Sequence, residues 1–196
     1  MQSEISDQQS AIDRLLHDTG LLLLSDNTLP SVATIVAGGP VRGSWWAHAK
    51  SHDIFHAARR LADDDDVIAV PLIRRKITFI HRRLWPAIAG IGRTRGEWQM
   101  RGLSRPARTL LARVDRSRGL EASGGAAREL AQRILVLARE VHTERGAHAK
   151  TLEPWDRWAT RVRIAPLEDA AARGMIAEAA RAYGPGARLP WQSRAS

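Results

Sequence analysis

The segment Gly39-Pro40-Val41-Arg42-Gly43-Ser44-Trp45-Trp46-Ala47-His48 places two adjacent indoles between a guanidinium and an imidazole, with Lys50 two residues further on. Backbone N–H groups at a helix start bind phosphate, and Arg42, His48 and Lys50 add positive charge to that capacity. Trp45 and Trp46 can stack on an unpaired base. They can equally fill the space between a helix and a sheet, the commoner fate of tryptophan. A second cluster, Arg74-Arg75-Lys76, lies between two β-branched runs, and His81-Arg82-Arg83 closes the second run. Cations at a hairpin tip can lie along a phosphate backbone or enter a minor groove; they also discourage a sheet edge from pairing with another chain. A third cluster is Arg145, His148 and Lys150, beside His142 and Thr143.

These clusters belong to an uneven charge distribution. From Arg74 to Arg118 there are 13 Lys/Arg and two acids, Glu97 and Asp115, a local charge of +11. Residues 1–66 instead hold five basic and ten acidic residues. A charge excess held in one block marks a polyanion partner, and nucleic acid is the partner expected. The basic residues are nearly all Arg, with Lys only at Lys50, Lys76 and Lys150. Arginine forks phosphate bidentately, although a GC-rich genome produces the same bias.

Support for catalysis is weak. The chain has no cysteine, which excludes disulfides, thiolate zinc sites and cysteine nucleophiles and suits a reducing cytoplasm, the expected location. His142 and His148 lack a third ligand at convincing spacing, and Glu144 is a lone acid in a turn. No Gly-rich phosphate loop, GxSxG elbow or HExxH occurs. The expectation is no catalytic residue, no metal and no small-molecule cofactor. The apolar run Leu21–Leu24 is far too short for a bilayer, and the N-terminus MQSEISDQQS is the opposite of a signal peptide. No membrane partner is expected.

The elements that would position these clusters are mainly helical. Ile12, Leu15, Leu16 and Thr19 recur at helical spacing and Gly20 ends the pattern, giving a helix over 7–19. Thr28 is the expected cap of a second helix, with Pro30 in its first turn and Gly38-Gly39 at its end. A third runs from Trp46 to Ala62, and residues 67–80 form a hairpin with a basic tip. After a helix over 82–91 the order repeats. There are helical segments over 95–100 and 104–116, then an amphipathic helix with Leu130, Ile134, Leu135, Leu137, Ala138 and Val141 on one stripe. A second basic hairpin follows over 140–152. Pro154 and Pro166 start two closing helices, and a loose tail begins at Gly184. The expected fold is mainly α with short β-hairpins, a tandem winged-helix-like architecture of helix-turn-helix plus wing. Its units are 1–92 and 93–183, with 184–196 as tail.

Three segments, GGPVRGSWWAHAKSHDIF (38–55), KITFIHRRLWPA (76–87) and EVHTERGAHAKTLEPWDRWA (140–159), together resemble the small bacterial AlkZ-related proteins. Those are similar to compact relatives of the AlkZ/YcaQ winged-helix DNA glycosylases. The resemblance spans residues 29 to 160 and implies a helical winged-helix architecture, DNA as partner and an association with DNA repair. The glycosylases carry a Gln-x-Gln or His-x-Gln catalytic pair. Here Gln8 and Gln9 are adjacent, Gln99, Gln132 and Gln192 stand alone, and none follows a histidine by two. The catalytic pair is therefore not carried over.

The sequence thus points to a DNA-binding winged-helix protein, with double-stranded DNA as its partner and without the usual catalytic pair. Its expected contacts are Arg42, Trp45, Trp46, His48, Lys50, Arg74, Arg75, Lys76, His81, Arg82, Arg83, Arg145, His148 and Lys150. The alternative is a glycosylase-like enzyme that excises alkylated bases, using Trp45/Trp46 or His148 near an extruded base. A third reading is self-association, the acidic N-terminal third docking on the basic block of another copy.

Overall fold

The computed structural model describes residues 2–142 and 148–192, with side chains over 6–139 and 150–192. These residues are mostly helical and hold two small three-stranded antiparallel sheets. None of the described helices is long and apolar enough to cross a membrane. The chain divides into two compact units, Met1–Leu84 with Ala177–Leu189, and Trp85–Ile176 with Pro190–Ser196. The first unit ends eight residues before the expected boundary at 92 and takes in a segment from the far end of the chain.

The first unit runs α1 (Gln2–Thr19), β1 (Leu21–Leu23), α2 (Val32–Ala37), α3 (Ser51–Ala62), β2 (Val67–Pro71) and β3 (Ile77–His81). Ile12 and Leu16, one helical turn apart, anchor α1 in a core with Leu22, Val36, Ile54, Leu61 and Phe79. Gly20 ends α1 at φ +78, and a Cβ there would lie 2.7 Å from Leu84 Cδ1, so the turn into β1 needs glycine. All three residues of β1 are buried, which is why this strand shows no alternation in the sequence. It pairs with β3 on the side opposite β2, giving the order β1-β3-β2 with Leu22 and Ala69 flanking Phe79.

Two boundaries in this unit differ from expectation. Ser31, not Thr28, caps α2: its hydroxyl accepts from the Thr34 amide at 3.1 Å, while the Thr34 hydroxyl accepts from the Ser31 amide at 2.8 Å. Trp45–Ala47 forms a single 3-10 turn, and α3 begins only at Ser51. The expected loose tail is also overturned as far as Leu189, because Ala187 and Leu189 are buried. Just before it, the Tyr183 hydroxyl accepts from the Leu23 amide at 3.1 Å and donates to the Pro30 carbonyl. Burial pushes the Tyr183 pKa up, keeping that hydroxyl a donor.

The second unit holds α4 (Trp85–Thr94), α5 (Glu97–Met100), α6 (Arg105–Asp115), β4 (Leu120–Ala122), α7 (Gly124–Gln132), β5 (Leu137–His142), β6 (His148–Glu153), α8 (Trp155–Arg161) and the first half of α9 (Asp169–Tyr183). Ser104 caps α6 by accepting from the Ala107 amide, with Pro106 in the first turn. Leu110, Leu111 and Val114 of α6 pack with Leu130, Leu135, Val136 and Leu152. The sheet order is β4-β6-β5, again with the last strand in the middle. Trp85, Trp155 and Trp158 form edge-to-face pairs at 5.1 and 5.5 Å. Gly92 lies against Trp155 so closely that a methyl group would overlap the indole.

The apolar stripe expected to continue the amphipathic helix to Val141 does not do so. The helix stops at Gln132, Ile134 takes φ +55, and the chain enters β5 at Leu137. A β-branched residue in the left-handed region costs about 1–2 kcal/mol, so this turn needs outside support. It has two supports. Trp155 Nε1 donates to the Ile134 carbonyl at 2.8 Å. The fully buried Gln99 donates to the Arg133 carbonyl at 3.1 Å and accepts from the Gly96 amide at 2.8 Å.

Gln99→Leu keeps the volume but leaves these backbone groups unpaired, so it should lower unfolding free energy by about 2 kcal/mol in urea denaturation. A loss under about 0.5 kcal/mol, the ordinary range for a surface change, would show that the turn stands without Gln99.

Candidate functional site

The sequence-predicted cations of the first hairpin are committed to the fold. Asp26 has no exposed side-chain surface, and Arg74 Nη1 and Lys76 Nζ reach its two oxygens at 3.0 and 2.9 Å. Burial of Asp26 opposes its ionisation. The Lys76 ammonium, the amides of Thr28 and Leu29 and the Thr28 hydroxyl outweigh that penalty and hold the carboxyl below its ordinary value. Arg74 also donates from Nε to the Gly186 carbonyl and from its amide to the Arg188 carbonyl, at 2.9 and 2.8 Å. Arg74 and Lys76 are thus solvent-exposed but already paired with Asp26 rather than free at the tip. Arg75 is exposed and makes no ion pair among the described residues. Arg74 and Arg75 both take positive φ, +53 and +57, a left-handed pair that the Asp26 contacts hold in place.

The neighbouring cations are also engaged. Arg82 pairs with Asp66 at 3.1 Å, and Arg83 Nη2 donates to the Asp18 carbonyl at 2.7 Å. His81 is half-buried, 6.0 Å ring to ring from His17. Burial, then the Arg83 charge, pushes its pKa down, favouring the neutral imidazole.

The segment after α2 behaves differently. Arg42 is exposed without an ion pair among the described residues. Trp45 is half-buried against the first core and stacks on Trp46 at 4.0 Å and 26°. Trp46 is 62% exposed. The core-filling role thus falls to Trp45 alone. His48 Nδ1 accepts from the Lys50 amide at 3.1 Å. On α3, Arg59 pairs with Asp63 and Arg60 with Asp13, so acids neutralise the arginines on its outer face.

Of the third cluster, Arg145 lies outside the described residues. His148 is placed by its backbone only, paired with His142 across β5 and β6. Lys150 is half-buried on β6, opposite Ala122 in the β4 register.

Uncommitted positive charge concentrates in the second unit. Arg105, Arg108, Arg113 and Arg116 lie exposed on the first and last turns of α6 and at its C-cap. Arg108 Nε donates to the Leu103 carbonyl at 3.0 Å; Arg105, Arg113, Arg116 and the following Arg118 make no ion pair among the described residues. The other face of α6 carries the buried Ala107, Leu110, Leu111 and Val114, which fixes the arginines outward.

Arg118 also borders an open cleft of about 680 Å³, with Arg139 on β5, Thr151 on β6, and Arg157, Thr160 and Arg161 on α8. Glu153 at the end of β6 is 5% exposed and binds Arg161 at 2.7 Å and Arg139 at 3.3 Å. Its carboxylate raises the pKa of Arg161 against the opposing effect of burial. Asp156 also lines the cleft and lies 3.7 Å from Arg93. Among the described residues no group of three or more His, Cys, Asp or Glu side chains could hold a metal ion.

Sequence reasoning enclosed the α6 arginines in its basic block but did not single them out, and it missed the cleft. The signal for the cleft is period-based. Thr151 and Glu153 share a strand face at i, i+2. Asp156/Thr160 and Arg157/Arg161 are i, i+4 pairs on a helix that turns Trp155, Trp158 and Ala159 inward. No family model, curated protein or solved structure matches the chain.

Removing both Asp26 partners (Arg74→Gln with Lys76→Gln) leaves a buried carboxylate unpaired and should cost about 3–5 kcal/mol of stability. Arg75→Gln should stay within about 0.5 kcal/mol. Because Asp26 is ionised below the ordinary 3.8 in the folded state, its contribution is full above that pH and is lost as pH falls below it. Denaturant titrations at neutral pH and near pH 3 check both statements, and Asp26→Asn should show a weaker acid dependence than the parent.

Proposed function

We propose that this chain binds duplex DNA through two winged-helix-like units, with the arginine stripe of α6 as its main phosphate contact. One observation carries the reading: Arg105, Arg113 and Arg116 stand exposed and without ion pairs among the described residues on a helix whose opposite face is core. Most cations earlier in the basic block are instead spent on acids or carbonyls of the fold. Guanidinia on a rigid helix are suited to phosphate oxygens, and such contacts position a protein on the duplex rather than read its sequence.

The architecture supports this reading. In the first unit the order helix, strand, helix, helix, strand, strand, with the last strand central, fits the order expected of a winged helix. The second unit repeats the strand order with one helix, α7, between β4 and β5. In helix-turn-helix docking the first helix crosses the backbone, and α6 is the first helix of the second repeat. The resemblance to AlkZ-related proteins adds a DNA-repair context. Base excision is a second reading, favoured by Trp46, which presents most of its indole to solvent on top of Trp45 and offers a stacking surface for an extruded base. Formation of abasic sites on alkylated duplex separates it from binding alone.

Duplex affinity should fall steeply with salt, with a log–log slope of about −0.9 per neutralised phosphate. The variant R105Q/R113Q/R116Q should flatten that slope by about three times this amount. The same triple variant with an intact fold and the parent slope would remove α6 from the interface.

A further inference from the structure

The cleft of the second unit has a charge pattern that the α6 stripe does not share. Arg118, Arg139, Arg157 and Arg161 line it together with Glu153 and Asp156, four positive charges against two negative. The acids are already engaged, Glu153 with Arg139 and Arg161, Asp156 with Arg93. Arg118 and Arg157 make no ion pair among the described residues. The excess of two positive charges therefore faces the cleft through guanidinia, and the buried Glu153 fixes the orientation of two of them. Thr151 adds a hydroxyl at the wall; the Thr160 hydroxyl spends its proton on the Asp156 carbonyl at 2.9 Å and offers an anion no donor. A volume of about 680 Å³ is that of a pocket for a small molecule or a chain end. A duplex backbone runs past such a cleft; an end enters it.

We infer that this cleft is a binding site for a phosphate monoester dianion, held by Arg118 and Arg157 against the Glu153-braced Arg139 and Arg161. Charge sets the preference. A monoester carries about two negative charges at neutral pH and matches the cleft, whereas the phosphodiesters of a nucleic-acid backbone carry one each. The inference goes beyond phosphate binding on α6 and does not depend on it. Two sources present the same group, a 5′-phosphorylated nucleic-acid end and a free nucleotide or sugar phosphate.

Calorimetric titration of the full chain with methyl phosphate and with dimethyl phosphate tests the site directly. Methyl phosphate should bind at least about tenfold more tightly, a charge-assisted pair typically contributing about that factor. The variant R118Q/R157Q alters two exposed side chains outside any ion pair and should keep the fold. It should weaken methyl phosphate binding about a hundredfold, to the edge of detection. R105Q/R113Q/R116Q should leave methyl phosphate binding unchanged even where duplex binding is lost, so failure of one reading is distinguishable from failure of the other. Tighter binding of a 5′-phosphorylated duplex than of its 5′-hydroxyl counterpart assigns the site to nucleic-acid ends; equal duplex binding with tight capture of a nucleoside 5′-monophosphate assigns it to a free phosphate ester. No binding of methyl phosphate, equal binding of the two esters, or full retention in R118Q/R157Q would each overturn the site.

Discussion

The carboxylate of Asp26 has no exposed surface and stays ionised, and much of the first unit follows from how it is neutralised. Taking an unpaired charge out of water costs several kcal/mol even after relaxation, so the fold must bring cations to it. Arg74 and Lys76 come from the β2–β3 connection, and the amides of Thr28 and Leu29 complete the shell. To reach Asp26 the connection takes two consecutive non-glycine residues through the left-handed region, at about 1–2 kcal/mol each. Arg74 also binds the Gly186 and Arg188 carbonyls, which gives the segment after α9 a fixed course.

That constraint divides the basic block by role. Its first part supplies structural counter-charges: Arg74 and Lys76 to Asp26, Arg82 to Asp66, Arg93 to Asp156 and Glu168, Arg95 to Asp115. Its last part, from Arg105 to Arg118, meets few acids and faces solvent. Electrostatic reach toward a polyanion depends on charge that is not already compensated nearby, so the second part is the better placed for binding. Glu153 repeats the theme in the second unit with a different outcome. It is nearly as deeply buried and likewise holds two cations, yet these, Arg139 and Arg161, border an open cleft in which positive charge remains in excess.

The mainly helical fold with antiparallel hairpins was legible in the sequence because Ile12, Leu15 and Leu16 repeat at helical spacing and Val67–Ile73 is rich in β-branched residues. The short strands were not. Leu21–Leu23 is buried throughout and shows no period, and Leu120–Ala122 is only three residues long, two half-buried and Glu121 exposed. The apolar positions from Leu130 to Val141 fit a helical stripe, but tertiary hydrogen bonds from Gln99 and Trp155 turn the chain at Ile134, and no local signal encodes those partners. Site residues divided in the same way. The charge count located the basic block, whereas pairing with a single acid, Asp26, 48 residues from Arg74 and 50 from Lys76, took two of its cations out of the available set. The two tryptophans could not be told apart by sequence; the structure gives Trp45 to the core and Trp46 to solvent.

The central claim is that α6, and not the first hairpin, carries the phosphate contacts. Arginine side-chain Nε–H resonances, assigned by substitution and followed by NMR as duplex is added, report on each guanidinium separately. The account predicts that the signals of Arg105, Arg113 and Arg116 shift and sharpen as they lose exchange with water, while that of Arg74 stays where the Gly186 carbonyl already holds it. Movement of the Arg74 signal with the α6 signals unchanged would contradict the account.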